Sequence, residues 1–198
     1  MKSSSLNPKN LQKLIDIGIS LSKEKNIDIL LEKILTEARQ ISNSDGGTLY
    51  LMIDNDTRLE MSIVQNASMK MFSGGTHGKD GSLYPVKLFD SDTGKQNLNN
   101  ISAACALQGR TILIKDTYKN TEFDLSGPKG FDKKYNYYSK CFLNIPMKNH
   151  KGKVIGVLQL LNPMDEDQII SYDKNLIQLV ESLASQASIA LTNQLLIE

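Results

Sequence analysis

The stretch Cys141 to Asn162, CFLNIPMKNHKGKVIGVLQLLN, constrains the fold more than any other. Leu143, Ile145 and Met147 alternate with Asn144 and Lys148, the pattern of a strand with one buried face. Val154, Ile155, Val157, Leu158, Leu160 and Leu161 form a nearly continuous apolar run, the pattern of a central strand covered on both faces. The polar segment between them, Lys148 to Lys153, carries Gly152 where a hairpin with a bulge needs positive φ. Gly156 interrupts the second strand, which marks a bulge or a close backbone approach.

The rest of the 198-residue chain must supply the layers that cover such a strand. One domain with helical extensions fits that length, and 40% hydrophobic residues are enough for a core. A net charge of +1 points to neither nucleic acid nor an anionic membrane as the main partner. No apolar run is long enough to span a bilayer. The opening MKSSSLNPKN lacks the apolar segment of a secretory signal, so a cytoplasmic setting is expected. The two cysteines, Cys105 and Cys141, read as packed hydrophobes, and with two histidines they make no zinc site.

Along the chain, residues 8–24 and 27–42 carry apolar stripes at helical spacing, with Asn26 or Asp28 as a cap between them. Thr48–Ile53 and Arg58–Val64 read as strands joined through Asp54-Asn55-Asp56. Residues 66–97 are irregular, punctuated by Gly74, Gly75, Gly78, Gly81, Pro85 and Gly94, and read as a long loop. Asn99 to Gln108 is a short helix, capped by Asn99 or Asn100 and stopped by Gly109. Thr111–Ile114 is a strand. Four aromatics in the polar stretch 131–139 are expected to cover one end of the sheet. Pro163 to Gln168 reads as an acidic loop and 169–198 as a long helix. In that helix Leu176, Val180, Leu183, Ala187, Ala190, Gln194 and Ile197 lie alternately four and three apart, the seam of a coiled coil.

Several of these segments together resemble a GAF domain, the small sensory module of cyclic-nucleotide phosphodiesterases and many bacterial signalling proteins. LNIPMKNHKGKVIGVLQLLN looks like the final hairpin of that family, and SDGGTLYLMIDNDTRLEMSIVQN like its first. ALQGRTILIKDTY matches its order of small helix, glycine, basic residue, strand and aspartate, here Asp116. Phe131, Asp132, Tyr137 and Ser139 match a pattern of GAF domains found before HD-GYP phosphohydrolases and in cyclic-nucleotide phosphodiesterases. Tyr135 stands where that pattern has threonine. Asn136 stands where it has glycine, and asparagine tolerates the left-handed conformation. Of the family's cyclic-nucleotide signature after the last strand, only Asn162 is kept. Binding of cyclic AMP or cyclic GMP is therefore not implied.

The resemblance implies an α/β fold, a three-layer α/β/α sandwich around an antiparallel sheet. It places helices 8–24, 27–42 and 169–198 on one face and residues 66–140 over the other, enclosing a pocket. It divides the chain into a connector helix (1–25), the GAF domain (26–168) and its C-terminal helix (169–198), which leads to an output domain. The implied ligand site is Asp116, Phe131, Asp132, Tyr135, Tyr137, Ser139, Phe142 and Asn144, around a small molecule of the nucleotide or metabolite class. Each of these residues also has an ordinary structural role open to it, as a turn cap, a lid residue or a strand partner. The expected function is non-catalytic sensing, passed through the terminal helices of a homodimer to a tethered enzyme such as a cyclic di-GMP phosphodiesterase. A ligand-free dimerisation module is the alternative. A methionine sulfoxide reductase would need a cysteine pair that can meet. No cofactor is identified. The dimer is expected along the 176–197 seam, so that charges at Leu183 and Ile197 should give a folded monomer.

Overall fold

The computed structural model describes residues 8–78 and 85–195. Gly81, Ile197 and the first residues of the connector lie outside them. Helix α1 spans Pro8–Lys23 and α2 spans Ile27–Ser42. Asn26 caps α2 by accepting the Ile29 N–H at 3.1 Å, and Asn43 closes it in the left-handed conformation at φ 49°. Strands β1 (Ser44–Ile53), β2 (Arg58–Asn66), β3 (Met71–Gly74) and β4 (Val86–Lys87) follow. Helix α3 is Ile101–Gln108, β5 is Ile112–Ile114 and α4 is Ser126–Tyr135. The chain ends in β6 (Phe142–Lys148), β7 (Val154–Asp165), β8 (Gln168–Ile169) and α5 (Lys174–Leu195).

The sheet is antiparallel, in the order β3-β2-β1-β7-β6-β5, with β4 beside β2 and β8 beside β7. Strand β7 is central, as its apolar run requires. Ile155 aside, its residues from Gly156 to Leu160 are buried, and they alternate between two cores. On one face Leu158 and Leu160 meet Leu35 of α2, Leu21 of α1 and Leu183 of α5. On the other, Val157 joins Tyr50, Ile112, Phe142 and the alanines of α3. The fold is thus the expected three-layer α/β/α arrangement. Gly156 is required by close approach: a Cβ there would stand 2.3 Å from the Tyr50 carbonyl oxygen on β1.

Four local features differ from the sequence expectation. The 126–135 stretch is a helix, whose signal is hidden by Gly127, Pro128 and Gly130; Asp124 accepts the Ser126 N–H at 2.9 Å at its start. The acidic segment 163–168 is a continuation of β7 that turns at Glu166 (φ 52°) into β8, so α5 begins at Lys174 rather than 169. Residues 71–74 add a strand to the sheet edge. The turn Gly75–His77 leans on α2, so this part of the 66–140 segment lies toward the helical face.

The fourth difference concerns the helix seam. Val180, Leu183 and Ala187 are fully buried against the sheet and the other two helices, and Ala190 nearly so. Gln194 donates to the Glu24 carbonyl oxygen at 2.7 Å within the same chain. A four-three spacing serves an intramolecular bundle as well as a coiled coil. The seam is core, and a charge at Leu183 would enter that core instead of freeing a monomer. Apolar side chains turned outward on the helices include Leu11, Ile15 and Ile19 of α1, each 45–48% exposed, Ile29 of α2 at 40%, and Ile189 and Leu195 of α5 at 57% and 50%.

Leu183→Ala should therefore lower unfolding stability by about 2–5 kcal/mol. Ile189→Ala should stay within about 0.5 kcal/mol in the monomeric chain. Urea denaturation at low protein concentration measures both.

Candidate functional site

The eight sequence-predicted residues fall into two groups, one at the end of the sheet where α4 leads into β6 and one on the face away from the helical bundle, with Asp116 at the margin. The first group is a strap, residues 137–141, that leads from α4 into β6. Asn136 ends α4 in the left-handed conformation at φ 51°, as its tolerance for that geometry predicts. Asp132, buried on α4, is then in position to hold the strap. Its Oδ1 accepts the Ser139 hydroxyl at 2.6 Å, and its Oδ2 accepts the Ser139 N–H at 2.9 Å and the Tyr118 hydroxyl at 2.7 Å. Thr117 donates its hydroxyl to the Ser139 carbonyl oxygen from the opposite side. Hydrogen bonds to a carboxylate are the stronger kind, so this anchor is substantial.

Tyr137 makes the second anchor. Its hydroxyl donates to Asp45 Oδ2 at 2.5 Å and receives a hydrogen bond from Asn162 Nδ2 at 3.1 Å. Burial, and then the Asp45 carboxylate, push the Tyr137 phenol pKa well above the ordinary tyrosine range. Asn162 also donates to the Tyr138 carbonyl oxygen at 2.7 Å, and its Oδ1 accepts the N–H groups of Lys140 and Cys141 at 2.9 and 3.1 Å. Asp45 is tied onward to α2, because Arg39 donates to the Asp45 carbonyl oxygen at 3.0 Å and to Gln65 Oε1 at 3.0 Å.

Phe131 packs between Tyr135 and Tyr137, with ring centroids 4.6 and 6.3 Å away. Tyr135 remains 41% exposed, with the Lys134 ammonium 4.8 Å from its ring centroid. Asp116 caps a surface turn, accepting the Tyr118 N–H at 3.0 Å, and pairs with Lys119 at 3.8 Å.

The second group is on the sheet beneath α3. Register places Thr48, Gln159 and Asn144 side by side on β1, β7 and β6. Gln159 Nε2 donates to Asn144 Oδ1 at 2.8 Å and to the Ser102 hydroxyl of α3 at 3.3 Å. The buried Tyr50 hydroxyl adds hydrogen bonds to Ser102 and Thr48, and burial raises its pKa. Asn144 is 0% exposed, and its Nδ2 has no hydrogen-bond partner. A buried donor without an acceptor is rare, and leaving one unpaired costs about 1–3 kcal/mol. Phe142, two residues before it, is a core residue packed with Val157 and Ile112.

The strap and the polar row are therefore separate structures. Neither of the two grooves described in the chain is lined by any of the eight residues. The sequence reading missed Thr117, Tyr118, Asp45 and Ser102. Gln159 was visible as the one polar residue inside the apolar run of β7. The two cysteines lie in different cores, Cys141 on the helical face and Cys105 on the other, so the sheet separates them. Burial pushes the Cys105 thiol up to about 12 and raises Cys141 as well, so neither is a ready nucleophile. Among the described residues, no group of three His, Cys, Asp or Glu could hold a metal ion, and no helix is long and apolar enough to cross a membrane.

Comparison with known proteins matches residues 24–192 to the GAF domain. Curated relatives include the cGMP-specific 3',5'-cyclic phosphodiesterase of Drosophila sechellia, 22% identical over 90% of this chain. The corresponding protein of Drosophila pseudoobscura pseudoobscura is 24% identical over 90% of the chain. The chain spans only 14–15% of the length of these two relatives. Among solved structures, the GAF domain of a phosphoenolpyruvate-protein phosphotransferase from Coxiella burnetii aligns with TM-score 0.68 at 12% identity, covering 95% of each chain. A free methionine-R-sulfoxide reductase from Neisseria meningitidis aligns with TM-score 0.64 at 12% identity, over 98% of this chain and 96% of that one. At such identities these structures speak to the fold alone.

The strap geometry has a pH signature. The Asp132 carboxylate accepts a hydrogen bond from the Tyr118 hydroxyl and, with burial, pushes that phenol up to about 12. Because the folded value is raised, the stability it adds is complete below the ordinary tyrosine value of about 10 and drains as pH rises through the folded value. In Asp132→Asn the Tyr118 titration, followed by ring-carbon NMR, should fall back toward the ordinary range.

Proposed function

The chain belongs to the GAF domain family, and we propose that it is a regulatory sensor module that binds a small molecule between α3 and the sheet. The observation that carries this reading is Asn144 Nδ2. It is a fully buried donor that lacks an acceptor, set in a row of otherwise satisfied polar groups. An acceptor on a bound molecule would complete the row, as converging polar groups on an apolar site do elsewhere. The strap residues Asp132, Tyr135, Tyr137 and Ser139, with Phe131, act in this reading as the lid margin. Asp116 and Phe142 hold the lid's two flanks.

The signal passes through helices on the opposite face to an output domain in a longer cytoplasmic protein. In the division proposed, residues 1–25 are the connector, 26–168 the sensor and 169–198 the helix leading onward. Curated relatives named as cGMP-specific phosphodiesterases and the 131–139 pattern support a phosphohydrolase as that output, such as an HD-type enzyme acting on cyclic di-GMP. The chain itself is non-catalytic in this reading. The partner across the helices is a second copy. Ile15 and Ile19 of α1 and Ile189 of α5 form an outward apolar stripe that an isologous contact would bury. A packed module with no ligand is the second reading, favoured by the strap's complete hydrogen bonding.

A thermal-shift screen of nucleotides and metabolites tests the sensor. A ligand at about a hundred times its Kd should add roughly 2.7 kcal/mol. Asn144→Leu removes the orphan donor, so the free domain should lose at most about 1–2 kcal/mol and show no ligand shift. If no compound shifts the wild type, the dimerisation reading stands. Sedimentation should find a folded monomer for Ile19→Glu/Ile189→Glu and a dimer for the wild type. A monomeric wild type at high concentration would remove the proposed interface.

A further inference from the structure

A groove of about 380 Å³ lies at the sheet edge, between the C-terminal end of α3 and the outer face of α5, away from both the strap and the polar row. Its apolar wall is Ile145 and Pro146 of β6. Thr111, just before β5, donates its hydroxyl to Glu181 Oε1 of α5 at 2.5 Å, which ties the two rims together. Ser185, one turn after Glu181, adds a hydroxyl to the same rim.

Two cations border the groove near the end of α3, Arg110 from the loop that follows it and Lys148 from the end of β6. Gly109 ends α3 with φ 58°, and a Cβ at this position would stand 3.4 Å from Lys148 Nζ, so the ammonium lies directly over the turn. Arg110 follows, its Nε fixed by a 2.7 Å hydrogen bond to Gln108 Oε1, which orients the guanidinium plane. Among the described residues no carboxylate stands within ion-pair distance of either cation, although Glu181 lines the same groove. The groove therefore presents two cationic heads, one carboxylate held apart from them, and an apolar wall. A simple anion would leave the Glu181 charge opposing it. A molecule with a negative and a positive end would satisfy all three.

We propose that this groove binds a small zwitterion of the free α-amino acid class. Its carboxylate lies on Arg110 and Lys148, its ammonium faces Glu181, and its side chain rests on Pro146, behind which Ile145 is buried. The site is distinct from the α3–sheet site and does not depend on that reading. Because Glu181 and Ser185 belong to α5, occupancy would link the end of α3 to the helix proposed to carry the signal.

The test is an NMR titration of the isotopically labelled chain with each of the standard free amino acids, and with the N-acetylated and amidated forms of those that bind. The expected result is a saturable shift at the amides of Gly109, Thr111 and Ser185, lost on either modification. Arg110→Ala and Glu181→Gln should each weaken binding about tenfold or more. Glutamine at 181 can still accept the Thr111 hydroxyl, so the loss reports charge and not folding. Equal binding by an N-acetylated form would overturn the zwitterion in favour of a plain anion. No shift at these amides up to about 10 mM, beyond the weakest useful affinity, would also overturn it. In that case the two cations serve only the negative end of α3.

Discussion

The end of the sheet where α4 leads into β6 depends on two buried polar side chains, Asp132 and Asn162, that share one job. Strand pairing from β6 begins at Phe142, so the five residues before it have little backbone ladder to hold them. Asp132 takes the Ser139 amide and hydroxyl, and Asn162 takes the amides of Lys140 and Cys141 and gives both its own N–H groups to the strap. Asn162 itself sits at φ 51°, a left-handed bend in β7 that asparagine accepts at small cost. Neither residue has much capacity left for a ligand. In the free domain both residues serve as architecture.

That architecture reaches the helical bundle. The strap reaches Asp45 through Tyr137. The next residue back along β1, Ser44, shares hydrogen bonds of 2.7 Å with the Tyr172 hydroxyl and with Ser42 at the end of α2. Tyr172 is buried in the helical core, just before α5. The strap is thus connected to the start of α5 by hydrogen bonds through adjacent residues of one strand. Coupling of about 1–3 kcal/mol suffices for most allosteric control, which is comparable to one or two such buried hydrogen bonds.

Much of the fold was legible because its signals are local. The apolar run of β7, the caps at Asn26 and Asn100, and the stop at Gly109 each follow from a few neighbouring residues. Helix α4 was hidden because Gly127, Pro128 and Gly130 suppress its propensity, and tertiary anchoring at Asp132 supplies what propensity lacks. The α5 seam was legible as apolar but not as inward, because a bundle against a sheet and a coiled coil share one spacing. For the site, Asp132, Tyr137 and Ser139 do converge, yet on one another. Their partners Thr117, Tyr118 and Asp45 come from distant positions that no short motif joins. The orphan on Asn144 is a property of packing, which pattern reading cannot see.

The central claim is that side-chain anchors, and not the strand ladder, make the strap part of the cooperative fold. Native-state hydrogen exchange at the amides of Ser139, Lys140 and Cys141 tests it most directly. The account predicts that these amides exchange only through global opening, as slowly as those in the middle of β7, and that Asn162→Ala lowers protection at Lys140 and Cys141 more than elsewhere. Exchange in the wild type at the rate of a fraying loop would contradict it.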